Sequence, residues 1–196
     1  MTTISSSSGL RGLDAAPIIY SLLNGHPASA VCESYIRGHS EWLTTTVTLL
    51  EADAVLRKVY GVDPVLVAHK IAQFAAGPIT VVAVDVALAV SAMTTANSLG
   101  IDLADAVLLE CCRAQRLSII ATDDEKFGRA CVQLGLTAES PLDSATRKQV
   151  AAWESTNLPA KGLARVLFHI RHWLDQQDPQ VAQAFWNQTG AGSHLP

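Results

Sequence analysis

A chain of 196 residues makes one full-sized domain, or a domain with an appendage, and can bury a core without disulfide or metal staples. Hydrophobic residues make up 49% of it, which excludes a disordered or solvating tail. The net charge of -4 argues against a strongly basic nucleic-acid binder, but leaves room for an acidic site that a cation neutralises.

The four cysteines, Cys32, Cys111, Cys112 and Cys131, form neither a CxxC pair nor a Cys/His cluster at zinc spacing. Cys111 and Cys112 adjoin in an apolar stretch, where cysteine packs as a small hydrophobe. No disulfides are expected, consistent with a reducing, cytoplasmic setting. The opening MTTISSSSGLRGLDAAP lacks the basic start and apolar run of a secretory signal, and Ser5 to Ser8 read as a disordered lead-in. The longest nearly uncharged stretch, Ile71 to Ile101, is divided by Gly77-Pro78 and Asp85 into a strand-sized and a helix-sized piece. No membrane association is expected.

In chain order, Leu10 to Leu13 is a short strand ending at Asp14. Pro17 sits where a helix begins, a place that tolerates its missing N–H. Ile18, Ile19, Leu22 and Leu23 give that helix an apolar side, and Asn24-Gly25 stops it. A second helix is expected over about 28–38. Trp42 to Thr46 is rich in β-branched residues and reads as a strand. From Val47 the pattern is helical, with Glu51 in or near the first turn and Gly61 at the end. Asp63-Pro64 caps the next helix, to Ala76. Ile79 to Val84 is an unbroken apolar run that suits a central parallel strand covered on both faces. Asp85 caps a helix that Gly100 terminates; Asp102 caps the following one, with Asp105 at its third residue. Leu117 to Ala121 is a short buried strand, followed by Thr122-Asp123-Asp124, a helix over 125–134 and an edge strand over 136–138.

Strands alternating with helices predict an α/β fold, a three-layer α/β/α sandwich around a mainly parallel sheet. Pro141 and the polar stretch after it mark a boundary, giving a domain over 9–140 and a helical C-terminal extension, 141–196, with no assigned role. The clearest helix there is Lys161 to Gln176. Its basic side, Lys161 and Arg165, is a charged exterior or a weak phosphate-contacting rim. His169 and His172 lie three apart on it without a third ligand, and His26, His39 and His69 are expected at the surface or at helix ends.

Acidic residues recur where strands hand over to helices: Asp14, Glu51, Asp105 and Asp124. In an open parallel sheet those ends form the ligand crevice, so four carboxylates distant in sequence can converge there. Like charges a few ångströms apart repel, and a hard divalent ion with oxygen ligands relieves that repulsion. Such an ion supports hydrolysis of a phosphodiester. Each acid also has a local reading. Asp14 can cap the Pro17 helix, Glu51 can favour a helix dipole, Asp105 can complete a cap around Asp102, and Asp123 or Asp124 can serve a turn.

GLDAAPIIYSLL is similar to the opening of PIN-domain proteins, particularly VapC-type toxins with an Asp-x-Ala-Pro-x-Ile-Tyr start. TTTVTLLEAD resembles their second motif. GIDLADAVLLECCRAQRLSIIATDDEKF resembles their third and fourth, an Asp-Ala pair on a helix and then Thr-x-Asp-x-x-Phe. The resemblance covers about residues 9 to 140. It implies a Mg2+- or Mn2+-dependent endoribonuclease and places the metal site and catalysis on Asp14, Glu51, Asp105 and Asp124. Asp123 is the alternative to Asp124. It further implies an RNA substrate, a cognate antitoxin and a homodimer. Many relatives carry a hydroxyl or amide two residues after the first aspartate, where this chain has Ala16; a PIN-like RNA- or protein-binding module without catalysis is therefore the alternative. A receiver domain or phosphatase ranks last, because Asp14-Ala15-Ala16 supplies no acid pair and no Gly-rich phosphate loop is present.

Overall fold

The structure, a computed structural model, describes residues 9–39, 41–158 and 163–189, with only the backbone of residues 163–165. Five strands, β1 (Arg11–Leu13), β2 (Trp42–Thr45), β3 (Ile79–Val82), β4 (Ile119–Ala121) and β5 (Thr137–Glu139), form one sheet in the order β3-β2-β1-β4-β5. Every pairing is parallel, so each return needs a crossover, which the helices supply. These are α1 (Ala15–Leu22), α2 (Ser29–Arg37), α3 (Thr46–Lys58), α4 (Pro64–Ala75), α5 (Val86–Leu99), α6 (Leu103–Ala114) and α7 (Glu125–Gln133). Beyond β5 come α8 (Ser144–Asn157), α9 (Leu163–Gln177) and α10 (Pro179–Thr189).

The two-residue period of a strand gives the sheet a core on each face. On one face Leu43 and Ile120 meet Ala92, Leu108, Cys112, Phe127 and Cys131 from α5, α6 and α7. On the other, Leu13, Trp42 and Ala121 meet Ile18, Ala52, Leu56 and Val67 from α1, α3 and α4. This is the expected three-layer arrangement. All four cysteines are free and buried. No single helix among the described residues is long and apolar enough to cross a membrane.

The expected central place of β3 does not hold. β3 lies at the sheet edge, not its centre, and its residues are half-buried or exposed. Ile79 leans on one core and Val82 on the other. Leu50 of α3, Val65 of α4 and Val86, Val90 and Met93 of α5 are exposed as well.

After β5, Asp143 caps α8 by accepting from Thr146 N at 2.7 Å. Leu142 and Val150 then bury against Ala28 and Cys32 of the α2 segment. α9 and α10 pack on each other through Trp186, which meets Phe168 and carries the Arg171 guanidinium 4.7 Å above its ring. Ser5 to Ser8, Lys161 and the side chain of Arg165 lie outside the described residues.

Candidate metal centre

The chain runs outward from β1 to β2 and β3, then returns to β4 on the other side of β1. The order therefore reverses between β1 and β4, and the crevice beyond their carboxyl ends is where an open α/β sheet takes a ligand. Asp14 directly follows β1, and its N–H donates to the Ala121 carbonyl at 3.0 Å. Its side chain caps α1, one oxygen accepting from Ala15 N at 2.6 Å. The other accepts from the Thr122 hydroxyl at 2.7 Å, and that hydroxyl accepts from Asp124 N at 3.0 Å. Asp124 in turn caps α7 by accepting from Phe127 N at 2.8 Å. Thr122 thus ties the ends of β1 and β4 together.

Two helices bring the remaining acids. α3 is capped by Thr45, whose hydroxyl accepts from Thr48 N at 3.1 Å, so its N-terminus needs no acid. α3 starts one residue earlier than expected, so Glu51 is its sixth residue, in the second turn and beyond the reach of the helix dipole. α6 approaches β1 closely because Gly12 has no side chain: a Cβ there would stand 2.6 Å from Cys112 Sγ. Cys112 lies seven residues after Asp105 on the same helix, hence on the same face. The stripe that presses on β1 therefore carries Asp105 toward the end of that strand.

Electrostatics report the result. Asp14 is only 5% exposed, and burial raises its carboxyl to about 6 despite the bonds from Thr122 and Ala15; Asp124 and Asp123 add to the rise. Burial, then the charges of Asp14, Asp102 and Asp124, lifts Glu51 to about 7. Burial, then Asp14, Glu51, Asp124 and Asp102, lifts Asp105 to about 8. Among the described residues, no Lys or Arg shifts these three acids. The donors are all carboxylate oxygens, which suit a hard divalent cation. Among the described residues, no three His, Cys, Asp or Glu side chains stand together so as to hold a metal ion in common. The acids sense one another's charge without closing into such a group, and what they offer a cation is an all-oxygen donor set.

The PIN domain model matches residues 13–133, which span Asp14, Glu51, Asp105 and Asp124. The chain belongs to the PIN domain family. No curated protein matches it in sequence. In fold, this PIN domain is similar to Mycobacterium tuberculosis VapC20, described as a toxin that cleaves the sarcin-ricin loop, at 13% identity and a TM-score of 0.52. That match covers 62% of this chain and 94% of the other. It is also similar to VapBC2 from Rickettsia felis, solved with a DNA fragment from its promoter, at 12% identity and a TM-score of 0.50 over 67% of this chain and 98% of that one. A third structure, from Pyrobaculum aerophilum, covers 76% of this chain and 94% of its own at 14% identity and a TM-score of 0.50.

Within this PIN domain the two acids of the Thr122-Asp123-Asp124 turn part company. Asp124 joins the acidic group, whereas Asp123 takes a hydrogen bond from Ser140 and an ion pair from Arg147. Asp102 occupies the N-cap of α6 but makes no side-chain cap bond, so it is not the expected cap; its charge acts on Glu51 and Asp105 instead. Asp85 does cap α5, accepting from Leu88 N at 2.8 Å. His26 is buried rather than superficial, stacked on Tyr20 at 4.9 Å and edge-on to Trp153. Those partners sit 6 and 127 residues away, so no local pattern marks it. Thr122 is the residue whose role the sequence leaves unassigned, although it opens the Thr-x-Asp-x-x-Phe motif.

Proposed function

We propose that this PIN domain is a Mg2+- or Mn2+-dependent endoribonuclease and the toxin half of a cytoplasmic toxin–antitoxin pair. The observation that carries the reading is a set of mutually repelling carboxylates, Asp14, Glu51, Asp105 and Asp124, at the sheet's switch point, with no basic side chain among the described residues offsetting the three perturbed ones. A bound divalent ion supplies a water of lowered pKa and stabilises charge building on a phosphate. The chain's own residues supply position. Asp14, buried and held at both oxygens, is the rigid anchor; Asp124 is fixed by its bond from Phe127 N. Glu51 and Asp105 lie on helices, and their raised carboxyls favour the protonated form near neutral pH; both would have to give up that proton to hold a cation.

Cleavage of RNA by the purified chain with Mn2+ tests the reading. Asp14→Asn and Asp105→Asn should each lose most of the activity; a wild type that cuts nothing, or variants that cut equally well, would refute it. A second reading, a PIN-like RNA- or protein-binding module without catalysis, is favoured by Ala16 and by the absence, among the described residues, of three acids standing together to hold an ion. RNA or protein binding that neither needs Mn2+ nor changes in Glu51→Gln would support that module over the nuclease.

The partners belong to the same proposal. Val86, Val90 and Met93 are exposed and recur at helical spacing along α5, an apolar stripe suited to a second copy of the chain or to an antitoxin.

A further inference from the structure

The turn after β4 bears two neighbouring carboxylates that leave it in different directions. Asp124 closes α7 and joins the acids, while Asp123 Oδ1 accepts from Arg147 Nε at 2.9 Å and from Ser140 Oγ at 2.7 Å. The Asp123 side chain is 14% exposed, so this ion pair is less screened than one in open solvent. Ser140 is itself fixed, accepting from Leu142 N at 3.0 Å. The helix that carries Arg147 is docked independently of Asp123. Val150 packs on Ala28 and Cys32, Trp153 meets His26, and Glu154 accepts from the Tyr60 hydroxyl at 2.8 Å.

We propose that Arg147, on a helix beyond residues 13–133, is a positioning residue for the metal centre. By holding Asp123 against α8 it fixes the Thr122–Asp124 turn, so that Asp124 alone offers its carboxylate to the cation. The inference rests on the reading of the acids as a metal site. Thr122 Oγ1 takes Asp124 N and gives its proton to Asp14, so a shift of this turn disturbs two acids at once. Releasing Asp123 also frees a further negative charge beside Asp14. Groups that orient metal ligands in this way typically change metal affinity by about 10–100-fold when removed.

The test is calorimetric titration of the full chain with Mn2+. Arg147→Ala should weaken binding about tenfold. In an Asp123→Ala background the same change should have no further effect, because Arg147 acts through Asp123. Val150→Ala, which loosens α8 without touching Asp123, should lower the melting temperature and leave Mn2+ affinity unaltered. Equal affinity in wild type and Arg147→Ala overturns the inference alone. So does a loss that persists in the Asp123→Ala background, or one that Val150→Ala reproduces. A wild type that binds no Mn2+ overturns the metal reading and this inference with it.

Discussion

Thr122 is one hydroxyl serving two acids. Thr122→Val would leave a buried Asp14 oxygen and the Asp124 N–H without their partner, at a cost of about 1–3 kcal/mol. We expect a lower denaturation midpoint together with weaker Mn2+-dependent cleavage; a variant as stable and active as wild type would remove Thr122 from the account. The sequence picks out Asp14 and Asp124 where a strand gives way to a helix, and Glu51 and Asp105 through the order of the PIN-like motifs. It does not reveal Thr122, whose bond to Asp14 spans 108 positions, nor Asp102, whose place before α6 suggests a cap it does not form. Local pattern reports helix ends well, and charge–charge contacts between distant segments poorly.

At the scale of elements, the approach of α6 to β1 depends on Gly12. Gly12→Ala would drive a methyl into Cys112 Sγ and overpack this contact by about 1–3 kcal/mol. The expected result is a lower melting temperature and weakened metal binding, since Asp105 rides on the displaced helix; an unchanged melting temperature would contradict the close approach. The apolar stripe of α5 carries its own prediction. If it seats a second copy, Val90→Glu should convert a dimer to a monomer by light scattering. A wild type that is already monomeric would assign the stripe to a different partner. Hydropathy reads β3 as a strand correctly but misplaces it, because an edge strand that packs residues on both cores has the same apolar composition as a central one. The docking of α8 is equally hidden: Leu142, in the stretch after Pro141, and Val150 carry no local sign of burial until Ala28 and Cys32, more than a hundred positions earlier, are brought beneath them.

For the molecule as a whole, the clustered acids set the sign of the pH response. Asp14, Glu51 and Asp105 have folded-state carboxyls raised to about 6, 7 and 8 from ordinary values of 3.8, 4.5 and 3.8. The folded chain therefore binds protons more tightly than the unfolded one, and the stability this contributes is present below pH 4 and lost as pH rises toward 8. Glu110, held low by Thr95, Ser91 and Arg113, acts in the opposite sense only in the acid range. Metal-free protein should accordingly melt at a lower temperature at pH 8 than at pH 5, Mn2+ should restore it, and Asp105→Asn should flatten the slope. A metal-free melting temperature that rises steadily from pH 5 to pH 8 would show that the acids do not repel one another in the fold.

The alternation of strands and helices already specifies this arrangement of layers, while the repulsion at its centre emerges only once the strand order turns back at β1. Proton release tests that repulsion most directly. Calorimetric titration of Mn2+ near pH 7, in two buffers of different ionisation enthalpy, counts the protons displaced on binding. The account predicts net release from wild type and less from Asp105→Asn. Binding with no release, or release that Asp105→Asn leaves unchanged, would contradict it.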